Sequence, residues 1–285
     1  MSSAPAISAF FDEATNSVSY LVADTAAGAA AVIDPVLDFD AASGTIATHS
    51  VDRILSAAEQ QKLRIEWVLE THVHADHLSA AGLIRERTGA RVAIGSGVAD
   101  VQRVFGPMLG ADDLDAGDFD RLLTDGDEIQ LGQLTIEVLA TPGHTPACVS
   151  YRVGDAVFVG DTLFMPDYGT ARCDFPGGCA EKLYRSIQRI LSLPRETRLF
   201  LCHDYKAPGR DSYAWETTVG DEADRNIHVG GKSKQEFTAM RRARDETLCA
   251  PKLLYPAIQV NIRAGRLPPA EANGSVFLRI PVTRP

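Results

Sequence analysis

Apolar and polar positions alternate along the chain in two rhythms, and each switch between them marks an element. Val18 to Ala23 and Ala29 to Ile33 are short apolar runs parted by Asp24 to Gly28, which predicts a β-hairpin ending at Asp34-Pro35. Ser50 is placed as the N-cap of a helix whose inner face is Val51, Ile54, Leu55 and Ala58. Ile65 to Leu69 reads as a buried strand, Leu78 to Thr88 as a helix stopped by Gly89, and Arg91 to Ile94 as a short strand. Three further strands are predicted at Leu134 to Leu139, Ala156 to Val159 and Arg198 to Cys202. Between the last two, Leu183, Ile187, Ile190 and Leu191 carry the period of an amphipathic helix over Ala180 to Leu193, with Pro194 just beyond.

Elsewhere the pattern weakens. Asp100 to Asp120 is acidic and Gly-containing, and it is read as a long surface loop with one helical turn. Its aspartates (Asp112, Asp113, Asp115, Asp118, Asp120) lack the ordered spacing of a calcium loop, which makes them a solvated acidic surface. Tyr205 to Lys234 is polar, Gln235 to Thr247 can be helical, and Pro251 to Pro285 is expected to wrap the body as irregular chain. Residues 1–285 are therefore taken as one domain, with 206–285 a C-terminal elaboration that lines the pocket.

The polar residues that matter fall at strand ends. Thr71-His72-Val73-His74-Ala75-Asp76-His77 follows the Ile65 to Leu69 run directly. In extended chain His72 and His74 point the same way, Asp76 follows two residues on, and His77 covers the other side. Three more strands run into Thr141-Pro142-Gly143-His144, into Gly160-Asp161 and into His203-Asp204. One histidine after a strand is ordinarily structural. Four strands each delivering a His or Asp at the C-terminal end describe a site, and His with Asp is a metal-ligand vocabulary. Ligand types alone make two metal sites possible: His72, His74 and His144 could hold one ion, with Asp76, His77 and His203 holding a second and Asp161 bridging.

Bulk composition narrows the partners. With 45% hydrophobic and 23% charged residues the chain has an ordinary globular make-up, and its net charge of -10 argues against a nucleic-acid partner. No apolar run reaches the length of a membrane span, and Met1 to Phe10 lacks the plan of a secretory signal. Five cysteines, an odd number without a C-x-x-C pair, favour reduced thiols, so the cytoplasm is the expected compartment. Cys148, Cys202 and Cys249 are read as packing residues, Cys173 and Cys179 as flanking the active-site loop. His49 and His228 are assigned to the surface, as are the charges of Arg225 and Lys232.

The set His72-x-His74-x-Asp76-His77, Pro142-Gly143-His144, Gly160-Asp161 and His203 resembles the metallo-β-lactamase fold superfamily. That resemblance implies an α/β fold, an αββα sandwich of two mixed β-sheets with the metal at one edge. A finer resemblance is to persulfide dioxygenases. It is carried by Ile33-Asp34-Pro35-Val36, Thr141-Pro142-Gly143-His144-Thr145-Pro146, Gly160-Asp161-Thr162-Leu163, Arg172-Cys173-Asp174-Phe175 and His203-Asp204-Tyr205. Glyoxalase II is the near relative, and the Asp174-Phe175 pair after Arg172 looks like the dioxygenases. Two departures, Ala147 where the family has Gly and a differently composed Met165 to Ala171 loop, suggest a bacterial subgroup with its own pocket wall.

The resemblance implies one Fe(II) held by His72, His144 and Asp161, with His74, Asp76, His77 and His203 orienting ligands or holding a second metal. It places Asp76, His77, His203 and Tyr205 in the catalytic set. The implied reaction oxidises glutathione persulfide with O2 and water to sulfite and glutathione. Because glutathione carries two carboxylates, Arg172, Lys206 and Arg210 are the candidate cations, and Tyr205 is a candidate hydrogen-bond partner. Two other readings use the same residues: a dinuclear zinc thioester hydrolase of the glyoxalase II kind, and a non-catalytic persulfide or metal sensor. A homodimer is expected from the family alone.

Overall fold

The computed structural model describes residues 4–111 and 114–282. The chain begins with β1 (Ala6–Asp12), β2 (Ser17–Asp24), β3 (Ala29–Ile33), β4 (Val36–Asp40), β5 (Thr45–Ala47) and α1 (His49–Gln60). Then come β6 (Arg64–Glu70), β7 (Leu78–Ser79), α2 (Ala81–Thr88), β8 (Arg91–Gly95), α3 (Val98–Leu109) and β9 (Arg121–Leu123). The second half contains β10 (Glu128–Leu131), β11 (Leu134–Ala140), β12 (Val149–Val153), β13 (Ala156–Phe158), α4 (Ala180–Leu191), β14 (Arg198–Phe200) and β15 (Glu216–Thr218). It closes with α5 (Val219–Arg225), α6 (Lys234–Asp245) and α7 (Leu254–Asn261).

Two six-stranded sheets result, β1-β2-β3-β6-β8-β9 and β10-β11-β12-β13-β14-β15, with a small β5-β4-β7 sheet beside them. Both large sheets are mixed. β1, β2 and β3 pair antiparallel while β3, β6, β8 and β9 pair parallel, and in the second sheet only β13 and β14 are parallel. Period-two alternation explains the layering. Val18, Tyr20 and Val22 of β2 face the other sheet, together with Tyr151, Phe158 and Phe200. Leu21 and Ala23 face outward under α1, α2, α3 and α7. On the far side Leu183, Ile187 and Ile190 of α4 cover the second sheet with Phe237 of α6. This is the expected αββα sandwich.

The structure corrects several expectations. Residues 98–109 form a full helix, with Val98, Val101, Phe105 and Leu109 buried along one stripe despite Pro107. Of the five aspartates in that region, Asp112 and Asp113 lie outside the described residues. Residues 254–261 are a buried helix instead of irregular chain, and α1 starts at His49 with Thr48 as its N-cap residue. Ser50 donates to Asp38 Oδ1 at 2.7 Å. His228 is buried and Cys249 is exposed, each the reverse of its assignment.

Candidate metal centre

Four strand ends meet at one edge of the sandwich. β6 leads into residues 71–77, β11 into His144, β13 into Asp161 and β14 into His203. The turn after β6 is fixed first. Asp34, held at φ 48°, accepts from the Thr71 backbone N–H at 2.7 Å and from the Thr71 hydroxyl at 2.8 Å. Gly160 has φ 52°, and a Cβ there would lie 2.6 Å from Thr71 Oγ1, so only glycine lets Asp161 come this close to the 71–77 turn.

His72 and His144 are each oriented through the ring nitrogen that faces away from the site. Thr71 has spent its hydroxyl proton on Asp34, so its oxygen accepts from His72 Nδ1, 2.9 Å away. The Arg172 carbonyl accepts from His144 Nδ1 at 2.7 Å. Both rings therefore present Nε2 lone pairs, 3.9 Å and 3.5 Å from Asp161 Oδ2. Burial, reinforced by His74 and His144, pushes His72 well below the usual imidazole range and keeps that lone pair free.

A second group lies alongside. His203 Nε2 is 3.4 Å from Asp76 Oδ2 and 3.4 Å from Asp161 Oδ1, while its Nδ1 faces the Asn16 carbonyl at 3.2 Å. His74 Nε2 is 3.0 Å from Asp34 Oδ1 and 3.5 Å from Glu70 Oε2. Burial pulls the His74 pKa down, but the two carboxylates outweigh it and hold it well above the usual value. Burial opposes ionisation of Asp76, yet His203 and His77 hold its pKa well below the carboxylate range. His74 Nδ1, His77 Nε2 and His203 Nε2 are buried without a hydrogen-bond partner. Buried imidazole nitrogens without partners, among them His203 Nε2 between the Asp76 and Asp161 carboxylates, are the donor set of a cation. The ligand atoms of His72, His144 and Asp161 lie within 4.8 Å of one another, and so do those of His74, Asp76 and His203. The residues fit one metal ion, and the second trio is grouped closely enough for another.

A cavity of about 600 Å³ opens from Asp76, His144 and Asp161 to the surface. Phe164, Tyr168 and Tyr205 wall one side, with the Tyr205 ring stacked on His203 at 5.5 Å between centroids. Its cations are Arg172, Arg241, Arg244 and Lys252. Arg172 is gripped by both oxygens of Asp174 and donates to the Cys249 carbonyl. Arg210 and Lys206, proposed from sequence as substrate cations, line other ground. Arg210 is bound to Asp204 and Asp167, and Lys206 Nζ sits 4.0 Å above the Tyr213 ring.

Sequence reading missed four contributors. Cys202, read as packing, donates to Asp161 Oδ1 at 2.7 Å, and its place beside His203 at a strand end was the available signal. Asn261 of α7 donates to the His74 and His77 carbonyls at 2.8 Å and 2.9 Å. Arg244 and Lys252 belong to the C-terminal region already expected to line the pocket.

Residues 12–203 match the model of the metallo-beta-lactamase superfamily, and the chain belongs to that family. It is 51% identical to a probable metallo-hydrolase of Burkholderia pseudomallei, over 97% of this chain and 98% of that protein. It is 45% identical to glyoxylase B2 of Dictyostelium discoideum over 88% of each, and 30% identical to the persulfide dioxygenase ETHE1 of Bos taurus over 91% and 89%. Other curated relatives, 50% identical, are longer, and the chain spans 65% of their length. Among solved structures, ETHE1 from Myxococcus xanthus superposes with a TM-score of 0.75 at 35% identity, covering 92% of this chain and all of that one. Among the described residues no helix is long and apolar enough to cross a membrane.

Proposed function

We propose that this chain is a persulfide dioxygenase acting on glutathione persulfide, with one Fe(II) held by His72, His144 and Asp161. The observation that carries the reading is the two-His-one-carboxylate group with His144 and Asp161 facing a cavity whose wall is cationic on an otherwise acidic protein. Two imidazoles and one carboxylate are the donor set of non-haem iron oxygenases. Similarity to proteins named persulfide dioxygenase, over nearly the full chain, supports it.

The balanced reaction is GSSH + O2 + H2O → GSH + SO3²⁻ + 2H⁺. The outer sulfur loses four electrons and O2 gains them. Bound iron would supply O2 activation and a seat for sulfur. The protein's own part is to bind and orient. Arg244 and Lys252, which line the cavity with no carboxylate partner among the described ion pairs, would meet the glutathione carboxylates. Phe164 is buried beside the reacting sulfur, and Tyr168 and Tyr205 narrow the approach from solvent. The Tyr205 phenol, raised above its usual pKa by burial and then by Asp76 and Asp161, remains a donor at neutral pH.

The second trio and the glyoxylase B2 similarity favour an alternative, a dinuclear zinc thioester hydrolase. Metal analysis of protein purified anaerobically, joined to oxygen-electrode recording with glutathione persulfide, separates the two. About one iron per chain with oxygen uptake supports the dioxygenase. Two zincs with thioester hydrolysis and no uptake replaces it, and binding without turnover of either substrate would make the chain a sensor.

A further inference from the structure

The peptide group joining Arg172 to Cys173 is held from both ends. Its carbonyl accepts from His144 Nδ1 at 2.7 Å, and its N–H donates to Asp245 Oδ2 at 2.8 Å. Asp245 lies at the last turn of α6, far from the metal candidates in sequence, and it is buried. We propose that Asp245 is a positioning residue for the metal centre, acting on His144 through the single peptide plane of Arg172 and Cys173. The inference rests on His144 being a metal ligand.

Physical reasons support a relay through a peptide. The group is planar and conjugated, so a carboxylate on its N–H polarises the carbonyl at the other end and makes it a stronger acceptor. A metal-bound imidazole whose other N–H meets a carboxylate is more basic and better fixed. Here the carboxylate is one peptide removed. The chain just before that peptide is held as well. Thr170 donates to His228 Nδ1 at 2.9 Å and accepts from Arg241 Nη1 at 3.1 Å, and Gly169 accepts from Asn226 at 3.0 Å. At Gly169 (φ 105°) a Cβ would fall 2.2 Å from His228 Nδ1, so glycine permits the approach. Arg241, 2.7 Å from Asp245, balances the buried charge. The functional consequence is that α5 and α6 belong to the support of the metal centre as well as to the pocket wall.

The test compares wild type, Asp245→Ala, Asp245→Asn and His144→Ala, loaded with Fe(II) for metal-release kinetics into a chelator and with Co(II) for NMR. Asp245→Ala is expected to release iron about tenfold faster and to shift the hyperfine-shifted His144 Nδ1–H resonance, with Asp245→Asn partly restoring both. A folded Asp245→Ala protein with wild-type release and an unmoved resonance overturns the proposal. If Asp245→Ala strands Arg241 and does not fold, Arg241→Met with Asp245→Leu removes both charges and is read the same way. His144→Ala retaining full metal would instead overturn the ligand assignment. His144→Ala losing metal beside inert Asp245 variants overturns the relay alone.

Discussion

The thiol of Cys202 donates to Asp161 Oδ1 at 2.7 Å, on the side of the carboxylate opposite the oxygen that faces His72 and His144. Burial, and then the charge of Asp161, raises the Cys202 pKa well above its ordinary value, so the sulfur keeps its proton and remains a donor. One oxygen is thereby occupied and Oδ2 is left for the cation. Cys202→Ala should weaken Fe(II) binding by about tenfold, since the Asp161 carboxylate loses the donor that orients it for the cation and keeps only His203 Nε2, 3.4 Å away, beside that oxygen. Cys202→Ser, which retains a hydroxyl donor, should lose less. Chelator competition measures both, and unchanged affinity in Cys202→Ala would mean that the thiol is mere packing.

The strand ends were legible because a period-two apolar run fixes where a strand stops, and the residue after the stop is read directly. That reading singles out His72, His144, Asp161 and His203, each of which follows a strand end in the structure. α3 was lost because Gly106-Pro107 interrupts a run whose inward stripe is otherwise regular. α7 was lost for a different reason. Six of its eight residues are buried, so it has no polar face to reveal a helical period, and Pro256 near its start mimics a loop. Arg210 illustrates what local sequence cannot carry. Its proximity to His203 suggested substrate binding, but its partners are Asp204 and Asp167, the latter 43 residues away.

That difference gives a pair of contrasting outcomes. Arg244→Ala or Lys252→Ala should raise the KM for glutathione persulfide by about threefold to fivefold, more weakly at high salt, with kcat little changed. Arg210→Ala should act on stability instead, because it abandons the fully buried Asp204 carboxylate. A loss of about 3 kcal/mol is expected. Thermal melting and steady-state kinetics on the same preparations check both halves. A large KM effect from Arg210→Ala at unchanged Tm would restore that residue to the substrate site.

Gly143 precedes His144 at φ 150°, where a Cβ would meet the backbone N and Cα of Leu183 at 2.3 Å. Neither atom can move without shifting α4, whose Leu183 is fully buried. Gly143→Ala is expected to cost about 3 kcal/mol or more and to displace His144, lowering Tm and metal content together. A protein with wild-type Tm and full metal would show that the strand end is more yielding than its contacts require.

Two buried groups away from the metal centre should shape stability against pH in opposite senses. Burial pushes Glu222 up to about 8, helped by Asp221 and Asp167 and opposed by Asn226 and Arg225. An unfolded glutamate titrates near 4.5, so between those values the folded chain holds a proton that the unfolded chain has released. That contribution is complete below 4.5 and is lost as pH rises through 8. His228 is pushed down to about 4 by burial and by Arg241, Arg244 and Lys232. The unfolded histidine takes its proton near 6.5, so this contribution is complete above 6.5 and is lost as pH falls through 4. Glu222→Gln should therefore remove the fall in stability between about pH 4.5 and about pH 8, and below 6.5, where the two windows overlap, it should leave the opposing rise from His228 steeper. His228→Asn, which keeps an acceptor for Thr170, should do the converse. Metal-free protein melted from about pH 4 to about pH 9 reads this directly, with metal linkage removed from the profile. Limbs that stay parallel to wild type in both variants would place the pH response elsewhere in the fold.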